Sequence, residues 1–371
     1  MHPFANRHRP IVVAAVSAIA LVTAIMGPVT SSASAASTTV TNITDDANWL
    51  LQSQLPDGAI AWYVEKGHVS PYLANYAAIG LAEAAKQTGS TAYSDAAWSW
   101  LRWYAAHEDE NGFVTDYNVD ASGVETSTGD EDSTDAYAGT YLSAVRATYA
   151  VDPDAAELAS LHAGIAAAVG AIEATQDADG LTWAKPTWHV KYLMDQAETY
   201  NGLLSASDLA TTLRDRALSK QAKADAAKMK AGIASLWDAP TGAYDWAKSG
   251  SVNTTDWGVL YSDAMEQAWI AGSNAISISR AKTLMDTLAV TEPQWSSPAA
   301  AANMNGSPGT VGYWPVAGWA LLHAGRTGQA TRAAASIRSA ALAAGRGWPF
   351  TTGNAGQLIV LESGDKTLIT P

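Results

Sequence analysis

The sequence predicts an all-α protein, and more narrowly a closed (α/α)6 toroid of six helical hairpins. Three observations favour this fold. Glycine turns recur along the chain, an Ala-rich amphipathic stretch precedes each turn, and a more apolar stretch of small residues follows it, while no long β pattern competes. Since the apolar stretches need burial on most sides, a ring of inner helices within a ring of outer helices satisfies the pattern.

The first turn is typical of the repeat. In "QLPDGAIAWY", residues 54–63, a Pro-Asp-Gly turn follows an apolar helical stretch and precedes a Trp-Tyr pair. Similar turns follow at spacings of about 35 to 70 residues, which leaves room for a helical hairpin each time. The turn glycines are Gly58, Gly112, Gly180, Gly242, Gly312 and Gly347.

Stretches such as "TAYSDAAWSWLRWYAAHE" are the predicted outer helices, because their apolar residues follow a helical period. Inner helices are predicted where smaller and more apolar residues follow a turn. The six inner stretches are "YLANYAAIGLAEAA", "DAYAGTYLSAVRATY", "KYLMDQAETYNGLLSA", "YSDAMEQAWIAGS", "PVAGWALLHAG" and "AGQLIVLES".

The first 35 residues are a predicted secretory signal peptide, which leaves 36–371 as a single toroidal domain. The basic stretch "MHPFANRHRP" precedes the apolar run "IVVAAVSAIALVTAIM" and the cleavage signature Ala33-Ser34-Ala35. The run is about 16 residues long, shorter than the roughly 20 that a spanning helix needs, and no second such run occurs. We therefore expect a secreted, extracellular protein without a membrane association once the signal is removed.

Composition narrows the function. The formal net charge of −14 argues against nucleic acid and anionic membranes as partners. The chain has 15 Trp but only 3 Phe, and Trp offers a flat face and a hydrogen-bonding edge suited to sugar rings, although helix packing explains any single Trp equally well. No metal, nucleotide or nucleophile-elbow motif occurs, so we expect neither a metal nor another cofactor.

The hairpin period, the aromatic glycine turns and the acidic inner helices resemble the six-hairpin glycosidase superfamily over nearly the whole mature chain. "SPYLANYAAIGL", "DSTDAYAGTYL" and "KYLMDQAETY" look like a secreted bacterial branch of it. The resemblance implies an (α/α)6 barrel, a carbohydrate substrate and hydrolysis, commonly with inversion of configuration. The same fold also carries lyases and non-enzymes, so the fold by itself does not select the reaction.

Acidic residues three positions apart begin three of the predicted inner helices, and such pairs lie on one helical face. Carboxylates at a helix start can also cap its free N–H groups, which is the competing interpretation. The pairs are Asp132 with Asp135, Asp195 with Glu198, and Asp263 with Glu266.

Asp135 and Asp195 are the predicted acid and base of glycosidic cleavage, which needs one carboxylic acid and one carboxylate. "KYLM" already continues the helix before Asp195, and an apolar stretch follows Asp135, so both carboxylates lie in an inner wall where burial is costly unless they are paired or active. Which of the two is the acid stays open. Asp132 and Glu198 are the further catalytic candidates.

Turn loops at one rim of a toroid supply the predicted sugar-binding residues. Aromatic rings there can stack on sugars, and the cations of "WAKPTWHVKY" can orient carboxylates or bind an acidic substrate group. Asp57 is also an ordinary turn residue, and a lone histidine such as His189 is more often structural. The predicted set is Asp57, Trp62, Trp183, Lys185, Trp188, His189, Lys191, Tyr192, Tyr200, Trp257, Trp314 and Trp348.

The leading hypothesis is a secreted glycoside hydrolase acting on a polysaccharide or oligosaccharide. A polysaccharide lyase on the same fold is the first alternative, with a base chosen from Tyr137, Tyr192 and Tyr200 and with Lys191 neutralising a uronate. A non-catalytic glycan-binding module is the second, since it needs the aromatic residues but not the carboxylates. The sugar, the linkage, endo or exo action and the oligomeric state stay open.

Overall fold

A computed structural model describes residues 31–65, 67–297, 303–304, 307–308, 312–365 and 367. Within these ranges the chain forms thirteen helices and ten short strands. The predicted signal peptide lies outside the described residues except for 31–35, which begin the first helix. Among the helices described, none combines the length and the apolar character that crossing a membrane requires.

Six helices form an inner ring, and each coincides with a predicted inner stretch. Consecutive members pack against each other and the last packs against the first, so the ring is closed. The side chains of these helices are buried over most of their length because they are covered on both sides. The inner helices are α2 (Pro71–Thr88), α4 (Thr134–Val151), α7 (Leu193–Thr212), α9 (Asp263–Ala271), α11 (Pro315–His323) and α13 (Thr352–Ser363).

The remaining helices pack outside this ring against the inner ones. Their amphipathic character explains the position, since one face is buried and the other is solvated. The all-α toroid predicted from the sequence is therefore confirmed, with one short extra helix, α5, ahead of the third outer helix. The outer helices are α1 (Ser31–Ser53), α3 (Thr91–His107), α5 (Ala155–Ser160), α6 (His162–Thr175), α8 (Arg216–Ser235), α10 (Ile278–Thr291) and α12 (Thr327–Ala343).

The turn in "QLPDGAIAWY" is a repeated structural unit. Gly58 has φ +107°, and a Cβ there would lie 2.5 Å from the carbonyl oxygen of Ser99 on the next outer helix. Gln54 Nε2 donates to the carbonyls of Gly58 (3.0 Å) and Ala96 (2.9 Å), joining the turn to the same helix. The turn at Gly180 repeats this arrangement through Gln176, whereas Gly312 and Gly347 are not in the left-handed region.

Short antiparallel strands occupy the loops between outer and inner helices, at the rim where the inner helices begin. They form one three-stranded sheet of β1, β2 and β3, another of β4, β7 and β8, and two hairpins. The strands are β1 (His68–Val69), β2 (Tyr117–Val119), β3 (Glu125–Ser127), β4 (Lys191–Tyr192), β5 (Trp237–Asp238), β6 (Ala243–Tyr244), β7 (Ala247–Ser249), β8 (Ser251–Asn253), β9 (Asn303–Met304) and β10 (Ser307–Pro308).

Glycines bring the two acidic inner helices α4 and α7 together. A Cβ on Gly202 of α7 would lie 2.4 Å from the carbonyl oxygen of Gly139 on α4, so no larger residue fits at this crossing. Because Asp135 and Asp195 begin these two helices, the close crossing also holds their carboxylates near each other.

Candidate active site

Two cavities lie side by side at the rim end of the ring. The first, lobe A, has a volume of about 240 Å³ and extends toward Tyr313, Trp314, Asn354 and Gln357. The second, lobe B, has a volume of about 260 Å³ and extends toward Ala184, Tyr192, Trp246, Ser262 and Glu266. The residues that line both lobes are Asp132, Ser133, Met194, Asp195 and Tyr261.

Asp195 lies in the first turn of α7 and faces both lobes. Its Oδ2 accepts a hydrogen bond of 3.1 Å from the hydroxyl of Ser133. Burial, and then the charges of neighbouring carboxylates with Asp135 first, raise the pKa of Asp195 well above its ordinary value. A raised pKa favours the protonated form of this carboxyl group, which is the form that can donate a proton.

Asp135, in the first turn of α4, is fully buried and lines neither lobe. Its Oδ1 accepts from the Ser133 hydroxyl (2.6 Å) and the Ala136 N–H (2.8 Å), and its Oδ2 accepts from the Thr182 hydroxyl (2.5 Å). Burial raises the pKa of Asp135 to about 7, against the lowering effect of these donors. Because one hydroxyl bridges Asp135 and Asp195, no sugar ring or water fits between the two carboxylates.

Glu198 lies one turn deeper on α7. Its Oε1 accepts from the hydroxyls of Tyr72 (2.7 Å) and Tyr76 and from the indole N–H of Trp269 (2.7 Å). Its Oε2 is buried without a hydrogen-bond partner in the described part of the chain. Burial raises the pKa of Glu198 to about 7, although these three donors lower it. Glu198 lines a small cavity of about 50 Å³ rather than either lobe.

Glu266 of α9 faces lobe B from the neighbouring inner helix. Its Oε2 accepts from the N–H of Met194 (3.2 Å), so this carboxyl group caps α7 rather than its own helix. Its Oε1 is buried without a partner among the described residues. Burial raises the pKa of Glu266 well above its ordinary value.

Asp132 differs from the other carboxylates because its side chain is exposed in the wall of both lobes. Although the residue is exposed, the protein atoms around its carboxyl group partly desolvate it. This burial, and then the charge of Asp116, raise the pKa of Asp132. Lys185 holds the loop in place, since its Nζ donates to Asp130 Oδ1 and to the carbonyl of Glu131, each at 2.5 Å. The predicted cation Lys185 therefore positions the loop that carries Asp132.

Aromatic side chains line the rest of both lobes. Trp314 is buried in lobe A and stacks on Tyr261, with ring centroids 5.1 Å apart. In lobe B, Tyr192 stacks on Trp246 at 6.2 Å. Such flat faces beside carboxylates suit a sugar ring, whose axial C–H groups are apolar and whose hydroxyls are polar.

Several predicted binding residues lie elsewhere. Lys191 is buried in an ion pair with Asp177 (2.7 Å) and Asp179 (2.8 Å). Tyr200 packs under Lys230 of the outer helix α8, with the ammonium 5.8 Å from its ring. Asp57, Trp183, His189 and Trp257 also line neither lobe. Asp57 Oδ1 accepts from the Ala59 N–H, Trp183 and His189 stack on each other, and Trp257 donates to the carbonyl of Thr241.

Trp188 and Trp348 are the two tryptophans with the most exposed side chains in the described chain, at 53% and 71%. The Trp188 indole donates to the Tyr192 hydroxyl at 3.4 Å, so it lies next to lobe B. Trp348 stacks on the half-buried Trp62, with ring centroids 5.9 Å apart and an interplanar angle of 21°. All three are rim residues that the sequence selected.

No lysine, arginine or histidine lines either lobe among the described residues. The acidic groups there are contacted by hydroxyl and backbone N–H donors rather than by cations. The described chain also contains no cluster of His, Cys, Asp and Glu that could hold a metal ion.

Some site residues have a weaker sequence signal than others. Glu266 follows Asp263 by three positions, which is also the pattern of a residue that caps its own helix. Only the packing of α9 against α7 shows that Glu266 faces the neighbouring helix instead. Tyr261, Asn354 and Gln357 carry no pattern that separates them from ordinary helix residues. Trp246 carries the same signal as the predicted rim tryptophans, since it follows a turn glycine in "TGAYDW".

Comparison with known proteins supports the fold. A GH63 mannosylglycerate hydrolase from Thermus thermophilus, in complex with glucose, has a TM-score of 0.62 at 13% identity, covering 87% of this chain and 99% of that one. A wild-type glycosidase has a TM-score of 0.62 at 14% identity, covering 91% and 98%. An uncharacterized conserved protein, also from Thermus thermophilus, reaches 0.61 at 13% identity, covering 86% and 99%.

No family model matches the chain, and no curated protein matches it. At these low identities the structural likeness establishes the architecture alone. The protein has the (α/α)6 fold of the six-hairpin glycosidases, as predicted from its sequence.

Proposed function

We propose that this protein is a secreted glycoside hydrolase that cleaves a neutral polysaccharide or oligosaccharide with inversion at the anomeric carbon. The observation that carries the proposal is that Asp195, which is buried and has a raised pKa, and Asp132, whose residue is exposed, face the same aromatic-lined space. Glycosidic cleavage needs an acid and a base held in different environments.

Asp195 is the proposed general acid. It protonates the oxygen of the leaving sugar as the glycosidic bond breaks, and its raised pKa keeps the proton available near neutral pH. Asp135, through the shared Ser133 hydroxyl, is a positioning residue for this group.

Asp132 is the proposed general base. Its exposed side chain can hold a water molecule and accept the proton as that water attacks the anomeric carbon. An inverting pair stands roughly 6.5–9.5 Å apart to leave room for the water. The hydroxyl-bridged pair of Asp135 and Asp195 lacks this room, so Asp132 is the better partner for Asp195.

The charge of the lobes favours hydrolysis over elimination. A lyase acting on a uronate needs a cation to neutralise the substrate carboxylate, and the cation that the sequence suggested, Lys191, is paired with Asp177 and Asp179. The carboxylate of Asp132, the proposed base, would instead repel an anionic sugar. A neutral sugar avoids this cost.

A glycan panel tests the proposal. Mature protein is incubated with neutral polysaccharides and with the uronate polymer alginate, and new reducing ends are measured together with absorbance from unsaturated uronate. We expect reducing ends from a neutral glycan, and NMR of the first product should show the inverted anomer. Unsaturated product from alginate, or a retained anomer, would contradict the proposal.

A matched pair of variants tests the base. Asp132→Asn should lower turnover by about 10²–10⁴-fold, because it removes proton transfer. Asp120→Asn is the control, since Asp120 is exposed at the turn between β2 and β3 of the same rim loop and lines neither lobe. If both variants kept wild-type turnover on a cleaved glycan, Asp132 would not be the base.

A further inference from the structure

The two lobes follow a line across the mouth of the toroid. Around the inner ring the order is α2, α4, α7, α9, α11, α13, so α7 and α13 stand three places apart and face each other. Lobe B lies toward the loop that leads into α7, and lobe A lies toward the first turns of α13. The shared residues Asp132 and Asp195 lie between them.

The two most exposed tryptophans extend this line at both ends. Trp188 belongs to the loop before α7 and donates to Tyr192, which lines lobe B. Trp348 belongs to the loop before α13 and stacks on Trp62, whose carbonyl accepts from the N–H of Thr352 in the first turn of α13. Trp188 therefore contacts a residue of lobe B directly, whereas Trp348 is joined through Trp62 to the start of α13, the helix whose Asn354 and Gln357 line lobe A.

Neither exposed tryptophan is a free side chain, since Trp188 is held by a hydrogen bond to Tyr192 and Trp348 by stacking on Trp62. Flat aromatic faces at intervals along a path suit successive sugar rings. No lysine, arginine or histidine lines the path between them within the described lobes, so the chain that fits it is uncharged.

We infer that the mouth binds an extended neutral glycan from Trp188, through lobe B and lobe A, to Trp348, and that cleavage at the central carboxylates is endo-acting. The inference rests on the proposed function, because it places the bond that breaks beside Asp132 and Asp195. A single sugar or a disaccharide fills the lobes alone, whereas a longer chain also reaches the two indoles.

Binding is tested without turnover. All proteins carry Asp195→Asn, and Trp188→Ala or Trp348→Ala is added to it. Affinity is measured for three soluble neutral polymers, namely galactomannan, hydroxyethyl cellulose and dextran. Alginate is the charged polymer for comparison. Each loss of an indole should weaken binding of the neutral polymer that binds best by about two- to tenfold. Trp188→Phe and Trp348→Phe should each keep part of the affinity that the alanine variants lose. Ile278→Ala, at the exposed start of outer helix α10, should leave the affinity unchanged.

Chain length is tested with turnover. Each tryptophan variant should raise KM for a long oligosaccharide about two- to tenfold more than KM for the disaccharide of the same linkage. Wild-type protein should lower polymer viscosity steeply while few reducing ends appear. The inference would be overturned by any of three results. They are an equal rise in KM for the long oligosaccharide and the disaccharide, release of single sugars from a chain end, and unchanged polymer binding in both tryptophan variants. If no glycan is cleaved, the proposed hydrolysis fails, and the binding measurement still decides whether the path holds a glycan.

Discussion

The protein contains two clusters of carboxylates that differ in the groups that contact them: arginines at one, and hydroxyl, indole and backbone N–H donors at the other. At the closure cluster, where the first and last hairpins meet, Arg338 and Arg346 pair with Asp45 and Asp46 of α1 (2.8 Å for Arg338 to Asp45, 2.6 Å for Arg346 to Asp46). Although burial raises it, hydrogen bonds and charge from Arg346 and Arg338 leave the pKa of the exposed Asp45 below its ordinary value. Burial keeps the pKa of the enclosed Asp46 above its ordinary value despite the same two arginines.

At the site cluster of Asp135, Asp195, Glu198 and Glu266, hydroxyl, indole and backbone N–H groups take the place of arginines. Burial therefore raises the pKa of each of these groups. Arginines join the helices at the closure cluster, whereas neutral donors alone hold the carboxyl groups of the site cluster, so only the closure depends on ion pairs for its stability. Four changes test this comparison.

The largest expected effect is at Asp195. Asp195→Asn should lower turnover by about 10²–10⁴-fold with little change in the free energy of unfolding, because an amide of the same shape cannot donate the proton. Asp135→Asn is the comparison at the positioning residue. Its amide keeps only one of the two acceptor oxygens, so it should lower stability by about 1–3 kcal/mol, measured by urea unfolding, and lower turnover less than Asp195→Asn does. The reverse pattern would exchange the two roles.

The closure cluster should respond oppositely. Arg338→Met leaves the buried Asp46 with only one arginine and should lower the free energy of unfolding by about 3–5 kcal/mol. Turnover per folded molecule should not change, because the cluster is remote from both lobes. Arg102→Met, which removes a half-exposed ion pair with Glu157, should cost only about 0.5 kcal/mol. If Arg338→Met and Arg102→Met lowered the free energy of unfolding equally, burial would not strengthen the ion pairs of the closure cluster.

Glu198→Gln sharpens the comparison within the site. The charge of Glu198 helps to raise the pKa of Asp195, so its removal should lower that pKa. If Asp195 is the acid, the alkaline limb of the pH profile of kcat/KM should move to lower pH by about half a unit to one unit. A merely structural Glu198 would change turnover at all pH values and leave the limb in place.

The smallest effect concerns Glu108, a carboxyl group without a cation that lies outside the site. Burial, and then the charge of Asp109, raise the pKa of Glu108 to about 9, and its Oε1 has no hydrogen-bond partner in the described chain. The folded state keeps this proton while the unfolded state loses it near pH 4.3, so stability falls as pH rises from about 4.3 to about 9. Glu108→Gln should reduce this fall in Tm without changing turnover.

A loss of activity in Glu108→Gln would show that a carboxyl group remote from both lobes supports catalysis. An unchanged slope of Tm against pH would show that Glu108 is ionised in the folded protein. Either result would weaken the use of missing cations as a mark of the site.

The architecture could be predicted from the sequence, because helical periodicity and turn glycines are local properties that repeat along the chain. The inner stretch that begins "KYLMDQAETY" became α7 because its small apolar residues require burial wherever they fold. Asp132 and Asp195 were selected for the same local reason, as acidic residues at the start of inner helices. Trp188 and Trp348 were likewise selected from their position near a turn glycine.

The surroundings of each selected side chain could not be predicted from the sequence and are known only from the packing of the helices and loops. Asp135 and Asp132 are three residues apart, yet one is enclosed by Ser133 and Thr182 and the other opens into both lobes. Lys191 was selected as a substrate cation, and its partners Asp177 and Asp179 come from a different turn. The physical reason is that burial and pKa depend on the atoms packed around a group, and in a closed ring those atoms come from helices far apart in the chain.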